Sequence, residues 1–244
     1  MNSRASFREQ DTGVTASETT VQVRSARSML KHLDVRPAPA ASIAGLVARE
    51  HYLHSMPAAA CLCFAIYHDS MLLGAVVFTA GARHGYRLLQ AARPQEVVTL
   101  ARLWLSERCP KNSESRVIGV VLRHLRRHSD WKLLLSYADP SAGHVGTIYQ
   151  ATGWLYLGQG AASSYLDMGD GRLQHPRSVY EQYGSNAVRH LRNTGIPATR
   201  RYLPGKHRYA YVLDPAWRWR LTAHPQPYPR KTHRGGLSCS ELSG

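Results

Sequence analysis

Long apolar runs are missing from this sequence. A membrane-spanning helix needs roughly 18 to 20 consecutive apolar residues. A long apolar stretch here, Met71–Ala80, is too short for that and reads as a buried strand. The amino terminus, Met1–Thr20, is polar and lacks the apolar segment of a secretory signal, so the expectation is a cytoplasmic protein with no membrane partner. Cysteine is scarce too. Of the four, Cys61 and Cys63 stand two apart in an apolar stretch, where a strand would turn both to one side, while Cys109 and Cys239 are isolated. With no C-x-x-C pair, a structural zinc site has no support. Acidic residues are the third shortage. Sixteen Asp and Glu face 31 Lys and Arg, a formal charge of +15 and a pI near 10.1, and such a field attracts polyanions.

The basic excess is uneven. Between His175 and Arg234 twelve Lys or Arg stand against Glu181 and Asp214, with eight Tyr or Trp interleaved. Cations attract phosphates and aromatic faces stack on unpaired bases, so this stretch reads as a nucleic-acid surface, with Arg189, Arg192, Arg200, Arg201, Lys206 and Arg208 as candidate contacts. The expected organisation is a mobile segment over 1–34, a catalytic core over 35–174, a basic aromatic region over 175–234 packing on that core, and a disordered tail over 235–244.

Within the core, Val35-Arg36-Pro37-Ala38-Pro39 reads as a stiff extended linker, because proline fixes its own φ and restrains its predecessor. Ser42 is placed to cap a helix running to about His51. Leu62–Tyr67 and Met71–Thr79 read as an antiparallel hairpin turned at His68-Asp69-Ser70, and Val97–Leu105 as a further strand. An amphipathic helix over Val117–Arg127 carries Ile118, Val121, Leu122 and Leu125 on one stripe, with Asn112 or Ser113 at its start. Lys132–Tyr137 is a strand, His144–Thr152 a short helix stopped by Gly153, and Trp154–Leu157 another strand. A helix over Ser178–Asn193 and a strand over Arg208–Leu213 complete the reading. This order predicts an α/β fold with a mixed central sheet flanked by helices.

Chemistry on such sheets favours the carboxyl ends of strands. One such end leads into Lys111–Arg116, where a helix start offers free N–H groups and Arg116 adds a cation, an anion site without the usual glycine-rich sequence. The other is Ser136-Tyr137-Ala138-Asp139, followed by His144 and Tyr149. Asp139 can accept a proton or ligate a cation, Tyr149 can donate a proton to a leaving group, and His144 can do either. Each also has a plain structural reading, as turn former, helix cap and half-buried aromatic respectively. Glu50-His51-Tyr52, with His54 nearby, forms a third cluster at a helix end.

Pro110-Lys111-Asn112-x-Glu114-Ser115-Arg116, the block from Ser136-Tyr137-Ala138-Asp139 through Gly143-His144-x-Gly146-Thr147-Ile148-Tyr149-Gln150-Ala151-x-Gly153-Trp154, and Glu50-His51-Tyr52 with Met56-Pro57 together resemble the Mom DNA-modification proteins of Mu-like bacteriophages. The likeness runs from about residue 40 to the Pro227-Tyr228-Pro229 region. It implies a GNAT-like acyltransferase fold with a basic C-terminal extension. The implied activity converts adenine N6 in duplex DNA to a carbamoylmethyl derivative, protecting phage DNA from restriction in the bacterial host cytoplasm. It also implies a small-molecule group donor, with acetyl-CoA or a related acyl donor, and iron, as cofactor candidates. Carried over by residue, the catalytic set is Asp139, Tyr149, His51, Tyr52 and Ser115. Arg102, with Asn112, Ser113 and Arg116, would hold the cofactor, and His51, Tyr52 and Asp139 are the candidate metal ligands. The Gln/Arg-x-x-Gly-x-Gly/Ala signature of ordinary GNAT enzymes is absent. Two other functions fit the same sequence: an acyl-CoA-dependent N-acyltransferase of a protein or small amine, and a non-enzymatic DNA-binding phage protein.

Overall fold

The hairpin read from the sequence forms the heart of the sheet in the computed structural model, which describes residues 29, 32–82 and 84–230. The segments expected to be mobile (1–34) and disordered (235–244) lie outside the described residues, apart from Met29 and positions 32–34. Strands β2 (Ala60–His68) and β3 (Met71–Ala80) pair antiparallel, and β3 pairs with β4 (Val97–Leu105). Strand β5 (Leu133–Ala138) runs parallel to β4, as a crossover through helix α2 (Ser113–His128) requires. With β1 (Asp34–Pro37), β6 (Leu155–Gln159) and β10 (His207–Val212) this makes a seven-stranded mixed sheet in the order β1-β2-β3-β4-β5-β10-β6.

Helices cover both faces, as predicted. On one, α2 buries Val117, Ile118, Val121, Leu122 and Leu125 against Phe64, Val76, Phe78, Leu100 and Leu134. Each side chain so buried contributes about 1.5–3 kcal/mol relative to exposure. The short helix α3 (Thr147–Ala151) adds Tyr149 to the same core. On the other face, α1 (Ala40–Glu50) buries Ile43 and Val47 on Cys63, Ala65, Ala75 and Val77. The rest of that face is covered by segments around Leu89 and Trp217–Leu221, joined by an isolated bridge between Leu89 and Leu221.

Several local expectations are corrected. The supposed linker at Val35–Pro39 is largely strand β1, whose Asp34 to Pro37 face Tyr67 to Phe64; an edge strand tolerates a proline because its free side needs no donor. Helix α1 starts at Ala40, and the Ser42 hydroxyl donates to the Pro39 carbonyl instead of capping. Helix α2 begins four residues before Val117. The helix expected over His144–Thr152 shrinks to α3 because Gly143 and Gly146 adopt left-handed backbone, φ 73° and 76°. The helix expected over Ser178–Asn193 is broken at Gly184 (φ 70°) into α4 (Pro176–Tyr183) and α5 (Val188–Asn193).

One whole unit was absent from the sequence reading. Between β6 and β10 the chain makes a small satellite over residues 160–206, in which β7 (Ser163–Asp167), β8 (Leu173–Gln174) and β9 (Thr199–Leu203) form a three-stranded sheet ordered β8-β7-β9. Its core is Leu166, Val179, Leu191 and Ala198. The two chain passages into and out of it are bound together as a neck. Gly160 N–H donates to the Lys206 carbonyl at 3.0 Å and Gln159 Nε2 to the Gly205 carbonyl at 2.8 Å. A Cβ on Gly205 would overlap the Gly160 carbonyl, so the crossing requires glycine.

Candidate active site

Strands β4 and β5 stay in register only from Val97–Leu133 to Leu100–Ser136. Just past that point β4 carries a bulge: Phe78 faces Leu100 and Val77 faces Arg102, leaving Ala101 unpaired. A bulge bends its strand and re-aims side chains, and here β4 and β5 part. The gap is a cleft of about 440 Å³ at the carboxyl ends of both strands. Its walls come from β4 (Leu103, Trp104, Leu105), from the end of β5 (Tyr137, Ala138), from the Gly143–Tyr149 segment, and from Glu50, His51 and Tyr52 at the end of α1.

The Gly143–Gly146 loop is held rigidly. Tyr209 of β10 donates its hydroxyl to the Val145 carbonyl at 2.6 Å, and Gln150 Nε2 donates to the same carbonyl and to the Tyr209 oxygen. The Tyr209 ring lies where a Cβ on Gly146 would have to go. His144, at the exposed tip, donates its N–H to the Asp139 carbonyl at 3.0 Å.

His51 is 4% exposed. Burial is the main force lowering its pKa to about 4, and electrostatic interactions with Arg102, His144 and His54 push the same way, so the imidazole is neutral at ordinary pH. Its Nδ1 accepts the Leu53 N–H at 3.1 Å. The remaining proton therefore sits on Nε2, and the ring is a hydrogen-bond donor from that nitrogen. Tyr52 is 43% exposed and packs on the His51 ring at 4.5 Å. Its other neighbour is the His144 ring, at 5.3 Å and nearly perpendicular.

Asp139 ends β5. Burial alone would raise its pKa, but the hydrogen bond and charge of Lys206, whose Nζ lies 3.1 Å away, and the Ser141 N–H on Oδ1 outweigh it and hold the carboxyl below its usual value. Tyr149 is buried too, its pKa pushed up to about 12 chiefly by that burial. Its hydroxyl oxygen lies 2.7 Å from Ser136 Oγ, which is 2.9 Å from the Leu100 carbonyl. The carbonyl can only accept and the serine has one proton, so the neutral chain runs from Tyr149 through Ser136 to Leu100.

The structure thus gathers His51, Tyr52 and Tyr149 on the cleft and sets Asp139 beside it. It does not bring Ser115, Arg102, Asn112, Ser113 or Arg116 onto the cleft walls. The Ser113 hydroxyl donates to Pro110 O and that of Ser115 to Asn112 O, while the Arg102 guanidinium donates to the Ser55 and Ala101 carbonyls. Glu114, in the first turn of α2, does line the cleft, and its carboxylate already occupies the positive end of that helix. That arrangement does not suit a pyrophosphate of an acyl-CoA there. Nor do the residues fit iron. Among the described residues no three His, Cys, Asp or Glu gather as a metal set, His51 Nδ1 is engaged by Leu53, and Asp139 is engaged by Lys206.

Of the expected nucleic-acid contacts, three brace the chain itself. Arg192 Nε donates to Ala198 O, Arg200 to Ser164 Oγ and Asn186 O, and Arg208 to Leu157 O. Arg189 and Arg201 are exposed. Lys206 serves Asp139. Sequence reasoning did not single out Trp104 or Glu114 as cleft residues, although Glu114 stands in the Pro110–Arg116 motif; no local signal marked Trp104.

The chain is 23% identical over 191 residues to the methylcarbamoylase mom of Escherichia phage Mu, a match covering 76% of this chain and 78% of that protein. Among solved structures it is similar to the spermidine N-acetyltransferase of Vibrio cholerae, with a TM-score of 0.46 and 8% identity over 78% of this chain and 98% of that one. It is also similar to the ribosomal L7/L12 α-N-protein acetyltransferase RimL, with a TM-score of 0.42 and 12% identity over 75% and 94%. Residues 32–230, nearly everything around the cleft and the satellite, match the Mom protein family, and the chain belongs to it.

Proposed function

We propose that this protein is a DNA-modifying transferase that converts adenine N6 in duplex DNA to a carbamoylmethyl derivative, in the cytoplasm of a bacterial host and to the benefit of a phage genome. The observation that carries the reading is the juxtaposition of neutral His51, Tyr52 and protonated Tyr149 on one cleft, beside the Asp139–Lys206 pair, in a relative of a methylcarbamoylase.

The adenine amine is a poor nucleophile because its lone pair is delocalised into the ring. It therefore needs a close, oriented approach to an activated carbon of a small donor. As the carbon–nitrogen bond forms, N6 sheds a proton and the donor's leaving group departs with its electron pair. Asp139 lies at the cleft edge as an acceptor for the amine hydrogens, and Lys206 fixes its direction. His51 offers an Nε2–H donor. Tyr149 remains protonated at any physiological pH, as a donor to a departing anion must. An acyl-CoA donor would have to seat its pyrophosphate away from the α2 start, where Glu114 stands.

Mass spectrometry of nucleosides from plasmid DNA of expressing cells tests the proposal. The expected product is a carbamoylmethyl-adenosine peak that disappears with Asp139→Ala. Unmodified adenosine in cells that contain the folded protein refutes it.

A further inference from the structure

The satellite's sheet has two unlike faces. Leu166 and Arg200 are cross-strand partners on the inner face: Leu166 is buried with Val179 and Leu191, and the Arg200 guanidinium is tied to Asn186. Their neighbours Tyr165 and Arg201, also partners, must point the opposite way because strand side chains alternate. On that face the His175 ring, at the start of α4, meets Tyr165 edge to face at 6.0 Å. Asp167 shares the face, but its carboxylate turns back to accept the Gly169 and Gly171 N–H groups. The neck holds this face close to the cleft through Lys206 and Asp139. Tyr165 lies near enough to Tyr52 to add, after burial and Asp139, to the forces raising the Tyr52 pKa.

The cleft mouth is framed by two rings in contact, with a third, Tyr165, on the satellite side. Tyr52 and His144 stand edge to face at 5.3 Å, making a corner, and Tyr165 approaches from the satellite. Lys206 stands beside these rings and pairs with Asp139, and Arg201 is exposed opposite Tyr165 on the satellite strand pair. A corner of rings with one large exposed aromatic face, bordered by cations, suits a flat heterocycle attached to phosphates on both sides. An intact base pair presents only its edges and cannot enter such a corner.

We infer that Tyr52 and His144 receive a single adenine extruded from duplex DNA, while Arg201 on the satellite's outer face holds the flanking backbone. The inference rests on the cleft being the adenine-modifying site, and it adds the form in which the base arrives and the surface that holds it. It assigns to the satellite the task of gripping the strand, and to Tyr52 the stacking of the base above the neutral His51 ring.

Fluorescence anisotropy with labelled duplexes, no group donor present, tests this on the full chain. Three duplexes of one sequence are compared: fully paired, with one unpaired adenine, and with an abasic site at that position. The unpaired adenine is expected to bind roughly five- to a hundredfold more tightly than the abasic site. Tyr52→Ala should erase that preference and Tyr52→Phe keep it, which separates stacking from any role of the hydroxyl. Arg201→Ala should weaken all three duplexes alike and flatten the salt dependence. Equal affinity for unpaired adenine and abasic site, or a preference that survives Tyr52→Ala, overturns the inference while leaving the proposed chemistry standing. A preference lost with Tyr52→Ala upholds it even where no modified nucleoside is found, since binding needs no donor.

Discussion

Replacing His51 by Asn isolates the energetic consequence of a buried neutral imidazole. Asparagine can still accept the Leu53 N–H through its side-chain oxygen, as in an Asx-turn, but it cannot titrate. In the native protein the folded-state pKa is about 4, below the 6.5 of a free histidine. Protons therefore bind preferentially to the unfolded chain as the pH falls. The stability that His51 contributes is complete above about pH 6.5 and is lost progressively as the pH falls towards 4, below which both states are protonated. A fully enclosed ring would link about 3 kcal/mol to this change. His51 forms a wall of a solvent-filled cleft, so screening reduces the expected effect to about 1–2 kcal/mol. The assay is urea unfolding of wild type and His51→Asn at about pH 7, 6, 5 and 4.5. Carboxylates titrate in both proteins and cancel. The wild type should lose about 1–2 kcal/mol more than the variant between the extremes, and parallel stability curves would refute the buried-imidazole account.

Ser136→Ala strands the Tyr149 hydroxyl and should cost about 2–3 kcal/mol, against about 1 for Tyr149→Phe, with the double variant less destabilised than the sum; additive losses by urea unfolding would count against the Tyr149–Ser136–Leu100 chain. On nucleoside yield the order should reverse: Tyr149→Phe should lower turnover by about 10²- to 10⁴-fold while the folded fraction hardly changes. Lys206→Met removes the cation that holds the Asp139 carboxyl low, so the acidic limb of the pH–rate profile should move to higher pH; an unmoved limb would separate Asp139 from the rate. Gly146→Ala must adopt left-handed backbone and also displace the Tyr209 ring, which should cost about 2–3 kcal/mol and lower the thermal midpoint; an unchanged midpoint would contradict the packing described.

Much of the main sheet was legible because its signals are local. The β2–β3 hairpin is marked by two apolar runs around Asp69 and Ser70, both at positive φ, and α2 by a clean stripe of Ile118, Val121, Leu122 and Leu125. The satellite was not legible. Its core has only four fully buried side chains, and β7 buries Leu166 alone among Ser163 to Asp167, so no run or alternation rises above its polar surroundings. The cleft was half legible. Asp139, His144 and Tyr149 follow one strand end closely, but the bulge at Ala101 that opens the space depends on how β3 and β4 register. The charge of Lys206 was visible, but its partner Asp139, far away in sequence, was not. The carbonyl contacts of Arg192, Arg200 and Arg208 were equally out of sight: a sequence displays cations, whereas only packing shows which of them also brace the chain.

The position of β10 also sets the order of assembly. This strand is made late, yet it lies between β5 and β6 and hydrogen-bonds to both. Until the ribosome has passed residue 212, β5 ends in an open edge and β6 has no neighbour in the sheet. Folding must therefore keep a slot open through the synthesis of the whole satellite and then fill it from the side, a long-range closure of the kind that slows folding. A product truncated anywhere before β10 would lack the Tyr209 that braces the Gly143–Gly146 loop. The Gly143–Gly146 wall of the cleft is thus braced only after the whole satellite has been made.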